Sequence, residues 1–188
     1  GTNRLITAKE IVIDVAVAPG QTIKLAKMTY ATHHGPMVVV PGNFEWGPGG
    51  NAFAIKDANL GNVDIIDHWL AMNLAGNIDE FKQAFKDFDG VIFNNTMSAD
   101  SEGNVFYIDD STVPHLTATA INEMTTNPLL VGAKQAAGFT ILPGFLSAFD
   151  FDRAVPYENA PKYSGTDYVQ NSNDSFWLTN LDSPITGV

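Results

Sequence analysis

The stretch VDIIDHWLAMNLAGNIDEFKQAFKDFDG, residues 63–90, is where the chain changes period. Val63, Ile66, Leu70 and Leu74 stand at helical spacing with Trp69 flanking the stripe, which predicts a helix over 61–75. Gly76 is placed to close it. Asn77 opens a second helix over 77–89. With Glu80 three residues on it resembles a capping box, Asn standing where Ser or Thr is usual. Ile78, Phe81, Phe85 and Phe88 form the buried face of that helix, and Gly90 ends it. The pair is a helical hairpin that must pack on a sheet.

The flanks supply the sheet. Residues 11–18, IVIDVAVA, are β-rich and stop at the turn signal Pro19-Gly20. Residues 22–31 and 36–40 read as further strands, separated by His33-His34-Gly35. The Gly/Pro-dense loop PGNFEWGPGG, 41–50, and a short strand at 51–57 follow. Strands return at 91–97 and 104–109 around the turn Ser101-Glu102-Gly103-Asn104. Residues 117–137 carry Ala-rich helical potential interrupted by Pro128, and the chain is loop-rich from 138 onward. The fold class is α+β, an antiparallel sheet with a packed helical hairpin. With no linker or repeat, residues 1–188 read as a single unit.

Composition bounds the function. The 188 residues, 45% apolar with 12 Phe and 3 Trp, suffice for a sizeable core. A net charge of −11 argues against nucleic acid and against anionic membranes as partners. The absence of cysteine excludes disulfides, thiolate zinc sites and a Cys nucleophile. No apolar run approaches the ~20 residues of a membrane-spanning helix. GTNRLITAKE at the start has no basic-then-apolar leader pattern.

Self-sufficient catalytic motifs (GxSxG, GxxxxGK[ST], HExxH and GxGxxG) are all missing. His33 and His34, read as strand neighbours, point to opposite faces and do not share a metal. His68 beside Asp64 and Asp67 reads as surface electrostatics. His115 has no sequence partner that makes it a base. ADSEGNVFYIDD, 99–110, looks superficially like a calcium loop but fails the EF-hand spacing and reads as a polar turn. No metal or cofactor is expected, with calcium the open alternative. The anomaly is YVQNSNDSFWLTN, 168–180, where Asn171, Asn173 and Asn180 lie among aromatics. An Asn amide is a neutral, directional oxyanion donor, although asparagines in such a run also cap turns.

Three blocks in order carry a family resemblance: THHGPMV (32–38), MSADSEGNVFYIDDSTVPHL (97–116) and AVPYENAPKYSGTDYVQNSNDSFWLTNLDSPITG (154–187). Together they resemble the penicillin acylase family of N-terminal-nucleophile hydrolases, in the branch of acyl-homoserine-lactone and aculeacin-type acylases. The resemblance implies an αββα sandwich and a self-processed precursor whose large chain begins with a nucleophilic Ser, activated by its own α-amino group. It implies Asn173 as the side-chain oxyanion donor, with Asn171 and Asp174 as supporting neighbours, and Phe93 near the acyl pocket. Trp69 could line the same pocket, although helix-to-sheet core is the simpler reading. It implies a periplasmic or secreted enzyme that hydrolyses N-acylated small molecules.

This chain starts at Gly1, which has no hydroxyl. It therefore reads as an internal fragment of the large chain, inactive alone, whose partners are the remaining acylase segments including a Ser-initiated chain. Helices stripped of their covering would self-associate or bind such segments. The rival reading is a non-catalytic acidic α+β binding module with Trp46 and Trp177 as a ligand platform.

Overall fold

The structure is a computed structural model that describes residues 3–40, 42, 46, 50–138, 140–151 and 153–186. Most of the Gly/Pro loop of 41–50 lies outside the described residues; Gly42, Trp46 and Gly50 lie within them. The sequence reading takes the chain as one unit, whereas its contacts gather into two compact units, Gly1–Asp57 and Ala58–Val188.

The first unit is a sheet in the order β1-β2-β3-β4: Thr7–Ala18, Gln21–Thr32, Gly35–Val38 and Phe53–Ala54. β1 and β2 pair antiparallel from Thr7↔Ala31 to Ala18↔Gln21 around Pro19-Gly20. The register puts Ile13 opposite Leu25 and Val15 opposite Ile23, with Asp14 opposite Lys24 on the other face. The first of these faces is apolar around Ile13 and Val15, while the second mixes the Asp14–Lys24 pair with apolar pairs such as Val12–Ala26. The Lys24 Nζ donates to Asp14 Oδ1 at 3.0 Å. Gly35 is required where it stands: its φ is 135°, and a Cβ would sit 2.1 Å from the Ile55 carbonyl oxygen. His33 and His34 lie in the turn before it, not on a strand. Strand alternation therefore does not separate them, and their ring centroids are 3.7 Å apart.

The second unit holds α1 (Ile65–Leu74), α2 (Ile78–Asp87), the sheet β5-β6-β7, and α3 (Ala118–Thr126) with α4 (Pro128–Ala137). β5 (Asn95–Ala99), β6 (Val105–Asp109) and β7 (Lys162–Gly165) are antiparallel, with Tyr107 opposite Met97 on one side and Tyr163 on the other. The core is Phe85, Val91, Phe106, Ile108 and Ala160, with Met72, Ile78, Phe81 and Tyr157 packed around it. Helix α2 matches its expectation. The Asn77 Oδ1 accepts the N–H groups of Asp79 and Glu80 at 3.1 and 2.9 Å. Glu80 reaches back to the Gly76 N–H at 2.8 Å.

Helix α1 is rotated relative to its expected face. Val63, Ile66, Leu70 and Leu74 are 80%, 75%, 53% and 72% exposed, and Trp69 is 46% exposed instead of core. His68 and Met72 face inward. The helix is apolar nearly all round, so spacing alone does not select its inner face. The predicted strand 91–97 begins only at Asn95, which leaves Phe93 outside the sheet and exposed. Pro128 opens a helix instead of breaking one. The Asn127 N–H closes α3 on Glu123 O at 2.9 Å, and its side chain accepts the Leu129 N–H at 3.0 Å to start α4.

Candidate functional site

The loop 166–183 of the second unit follows β7. Gln170 ties the two sides of the loop together. Its N–H donates to Thr179 O at 2.9 Å, and its side-chain amide donates to Leu178 O. Asn180 is fully buried and uses all of its hydrogen-bonding capacity. Its Nδ2 donates to Asp167 Oδ2 and Tyr168 O, both at 2.9 Å. Its Oδ1 accepts the N–H groups of Asp182 and Ser183 at 3.0 and 2.8 Å. Donation from Asn180 and from the Tyr163 hydroxyl holds the Asp167 carboxyl below its ordinary range. The Tyr168 hydroxyl accepts the Leu181 N–H at 3.0 Å.

The tip of this loop carries Asn171, Asn173 and Asp174. The Asn171 Oδ1 accepts the Asn173 N–H at 2.9 Å, and its Nδ2 donates to Asp174 O at 3.0 Å. Asn171 thus brackets Asn173 from both sides. Asn173 has φ 61°, the one positive φ among the described non-glycine residues. Its side chain is exposed and its amide makes no hydrogen bond among the described residues. The asparagine run therefore divides its labour. Asn180 fastens the loop, Asn171 shapes the tip, and Asn173 presents a donor.

Phe93 and Trp69, 74% and 46% exposed, belong to the same unit. Among the described residues no hydrogen bond or ring contact joins either to the Asn173 tip. A cavity of about 300 Å³ elsewhere in this unit is lined by Asn62, Asp64, Asp89, Thr112 and Arg153 among others, and by none of the site residues expected from sequence. Trp46, expected to serve as a platform, makes a T-shaped contact with Tyr30, their centroids 5.1 Å apart. Trp177 packs on Phe176 at 5.2 Å and stays half exposed.

Within the acidic segment 99–110, residues 100–104 form the turn read from sequence, and β6 follows. Asp100 accepts from the Glu102 and Asn104 N–H groups at 3.0 and 2.9 Å and from Asn104 Nδ2 at 2.7 Å. Asn104 is the main cause of its lowered pKa. Among the described residues no cluster of three or more His, Asp or Glu side chains could hold a metal ion. No helix among them is long and apolar enough to cross a membrane.

Two titratable groups escaped the sequence reading. His68 is fully buried instead of being a surface partner of Asp64, because the rotation of α1 carries it inward. Burial pushes the Asp110 carboxyl up to about 7, with Asp89 and Asp109 adding repulsion and Lys162 opposing them. The Asp109-Asp110 doublet was visible in the sequence, but which of the two turns inward was not.

Known proteins match this chain along its length. The acyl-homoserine lactone acylase PvdQ of Pseudomonas fluorescens (strain Pf0-1) is 29% identical over 197 residues, covering 100% of this chain and 24% of that protein. The aculeacin-A acylase of Actinoplanes utahensis is 34% identical over 174 residues, covering 87% of this chain and 22% of that protein. The chain thus spans about a quarter of the length of the curated relatives it matches. Among solved structures, a thermostable penicillin G acylase from Alcaligenes faecalis superposes with a TM-score of 0.64 at 18% identity, over 96% of this chain and 28% of that one. That likeness supports an α+β fold of antiparallel sheets and helices. The family model described as penicillin amidase matches residues 1–187, and the chain belongs to that family.

Proposed function

We propose that this chain is part of an amidohydrolase that cleaves the amide bond of N-acylated small molecules, with Asn173 as a donor to the oxyanion. The family is one of hydrolytic enzymes, and relatives of this chain are named as acylases. The observation that carries the proposal is the Asn173 tip. Its backbone is held by Asn171 on both sides, and its amide is exposed and unspent. A donor fixed before the reaction costs no reorganisation when charge develops on the substrate oxygen.

In this reading residues 1–188 are an internal part of a large chain, and their sheets belong to an αββα sandwich. The nucleophile is an N-terminal Ser on another segment, activated by its own α-amino group. Attack on the acyl carbonyl places negative charge on its oxygen. Asn173 Nδ2 meets that charge beside a backbone N–H from elsewhere, collapse expels the amine, and water releases the acid. Asn171 and Asp174 position the donor, while Phe93 and Trp69 offer apolar surface to the acyl chain. The named relatives favour an acyl-homoserine lactone or a lipopeptide acyl chain over a β-lactam side chain. A periplasmic or secreted location goes with this reading.

The test is Asn173→Ala in the complete enzyme, assayed on acyl-homoserine lactones of graded chain length. We expect kcat to fall about 10²–10³-fold, or about 2.7–4 kcal/mol of transition-state stabilisation. An unchanged kcat in a correctly processed variant would remove Asn173 from the chemistry.

A further inference from the structure

We propose that His68 is an acid-sensitive latch: its neutral ring accepts the Gly90 N–H, and protonation releases segment 88–91 from helix α1. The Gly90 N–H donates to His68 Nδ1 at 3.0 Å in a buried setting. A ring nitrogen that accepts a hydrogen bond carries no proton, so the imidazole is neutral with its hydrogen on Nε2. Adding a proton at Nδ1 turns two donors toward each other and breaks the bond. Solvent rescues neither nitrogen, because the residue is 0% exposed, and Nε2 has no hydrogen-bond partner among the described residues.

The surroundings leave little room for an alternative. From α2, the Phe85 ring meets the imidazole edge-on at 4.6 Å, and Phe88 lies at 6.1 Å. From the segment after α2, Gly90 is so close that a Cβ there would lie 2.5 Å from Asp64 O and 2.7 Å from His68 Cβ. Gly90 is thus packed directly on α1 at the point where the His68 ring ties the two segments together.

The charged groups of the neighbourhood are few. Asp64, beside the start of α1, favours the protonated ring but is outweighed by burial, so that the imidazole sits below its ordinary range. The Asp64 Oδ2 is occupied by the Asp89 N–H at 3.3 Å, a second tie between the same two segments. Asp89 itself adds repulsion to the buried Asp110.

The sign follows from linkage. The folded chain binds the His68 proton more weakly than an open chain does, so stability is full above 6.5 and falls as pH drops below it. The penalty is local, because the bond that breaks holds the stretch leading into Val91, a core residue.

The experiment is hydrogen exchange read by mass spectrometry on the complete protein carrying this chain. It follows peptides that cover 64–74 and 88–93 from pH 7.5 to 5.0, corrected for intrinsic exchange. His68→Asn is the matched variant, since its carboxamide oxygen keeps an acceptor near Nδ1 and cannot titrate in this range. Asp110 is common to both proteins and cancels in their ratio. We expect the ratio of 88–93 opening in the wild type to that in His68→Asn to be flat above pH 6.5 and to rise as pH drops below it, by at most about tenfold per pH unit. Equal pH dependence in the two proteins overturns the proposal. Should His68→Asn fail to fold, the wild type decides alone. Protection of 88–93 must then fall in acid relative to the 95–109 hairpin, and an unchanged ratio overturns the latch.

Discussion

The two units of the chain bury their side chains very differently. In the first, β1 and β2 run twelve residues each, and nearly every residue from 7 to 28 is exposed, Val15 being half-buried. In the second, Tyr107, Phe85, Phe106, Ile108 and Val91 are all less than 2% exposed, or at 2% in the case of Phe85. The hairpin is held by its backbone ladder and by cross-strand pairs such as Ile13 with Leu25. The second unit is held by an aromatic core in which Phe81, Phe85 and Phe106 meet at 5.5–6.4 Å. Strong apolar patterning marks both, so patterning alone does not tell which side chains this stretch of chain covers.

The sharpest way to break that comparison is truncation in each unit. Phe85→Ala in the second unit is expected to cost about 3–5 kcal/mol, because neighbours close only partly on the void. Leu25→Ala, at a residue 53% exposed, is expected to cost under about 1 kcal/mol within this chain. Denaturant unfolding followed by pulse proteolysis separates the two, and similar losses would erase the distinction.

Next in size is Asn180→Ala, expected to cost about 2–3 kcal/mol by stranding the groups it serves in the second unit. Its readout is loss of protection over 167–183 without a change in the first unit. Asp110 contributes an effect that depends on pH. Its folded-state value near 7 exceeds the ordinary 3.8, so the folded chain holds the extra proton between them. Stability of the second unit therefore declines as pH rises from about 4 to 7 and levels off above that. Asp110→Asn is expected to flatten that part of the profile in denaturant midpoints across pH. The smallest effect belongs to the first unit. Asp14→Asn removes an exposed pair with Lys24 and is expected to change stability by no more than about 0.5 kcal/mol.

What could be read from sequence depended on how local its cause was. Helix α2 was legible because its cap and its stripe are both written within Asn77–Phe88, and the Asn77–Glu80 exchange is a short-range bond. The turn at Asp100 was legible for the same reason. Helix α1 was placed but its face was misjudged, since Ile65, Ile66, Trp69 and Leu70 make it apolar on several sides and only tertiary packing chooses. His33-His34 was misread because strand alternation was carried one turn too far. At the candidate site, the Asn171–Asp174 cluster stood out as composition. The left-handed backbone of Asn173 did not; nor did the burial of Asn180, which follows from hydrogen bonds to Asp167 and Tyr168 that close across the loop.

The left-handed turn at Asn173 places two separate demands on one position. The backbone there accepts glycine readily, asparagine and aspartate tolerably, and other side chains at a cost of roughly 1–2 kcal/mol. The amide can be supplied by asparagine alone among those residues. Glycine would thus erase the donor and spare the chain path, aspartate would replace the donor with a negative charge of nearly the same shape, and alanine would disturb both. A three-way comparison of these variants resolves at a single residue how much of its value is shape and how much is chemistry.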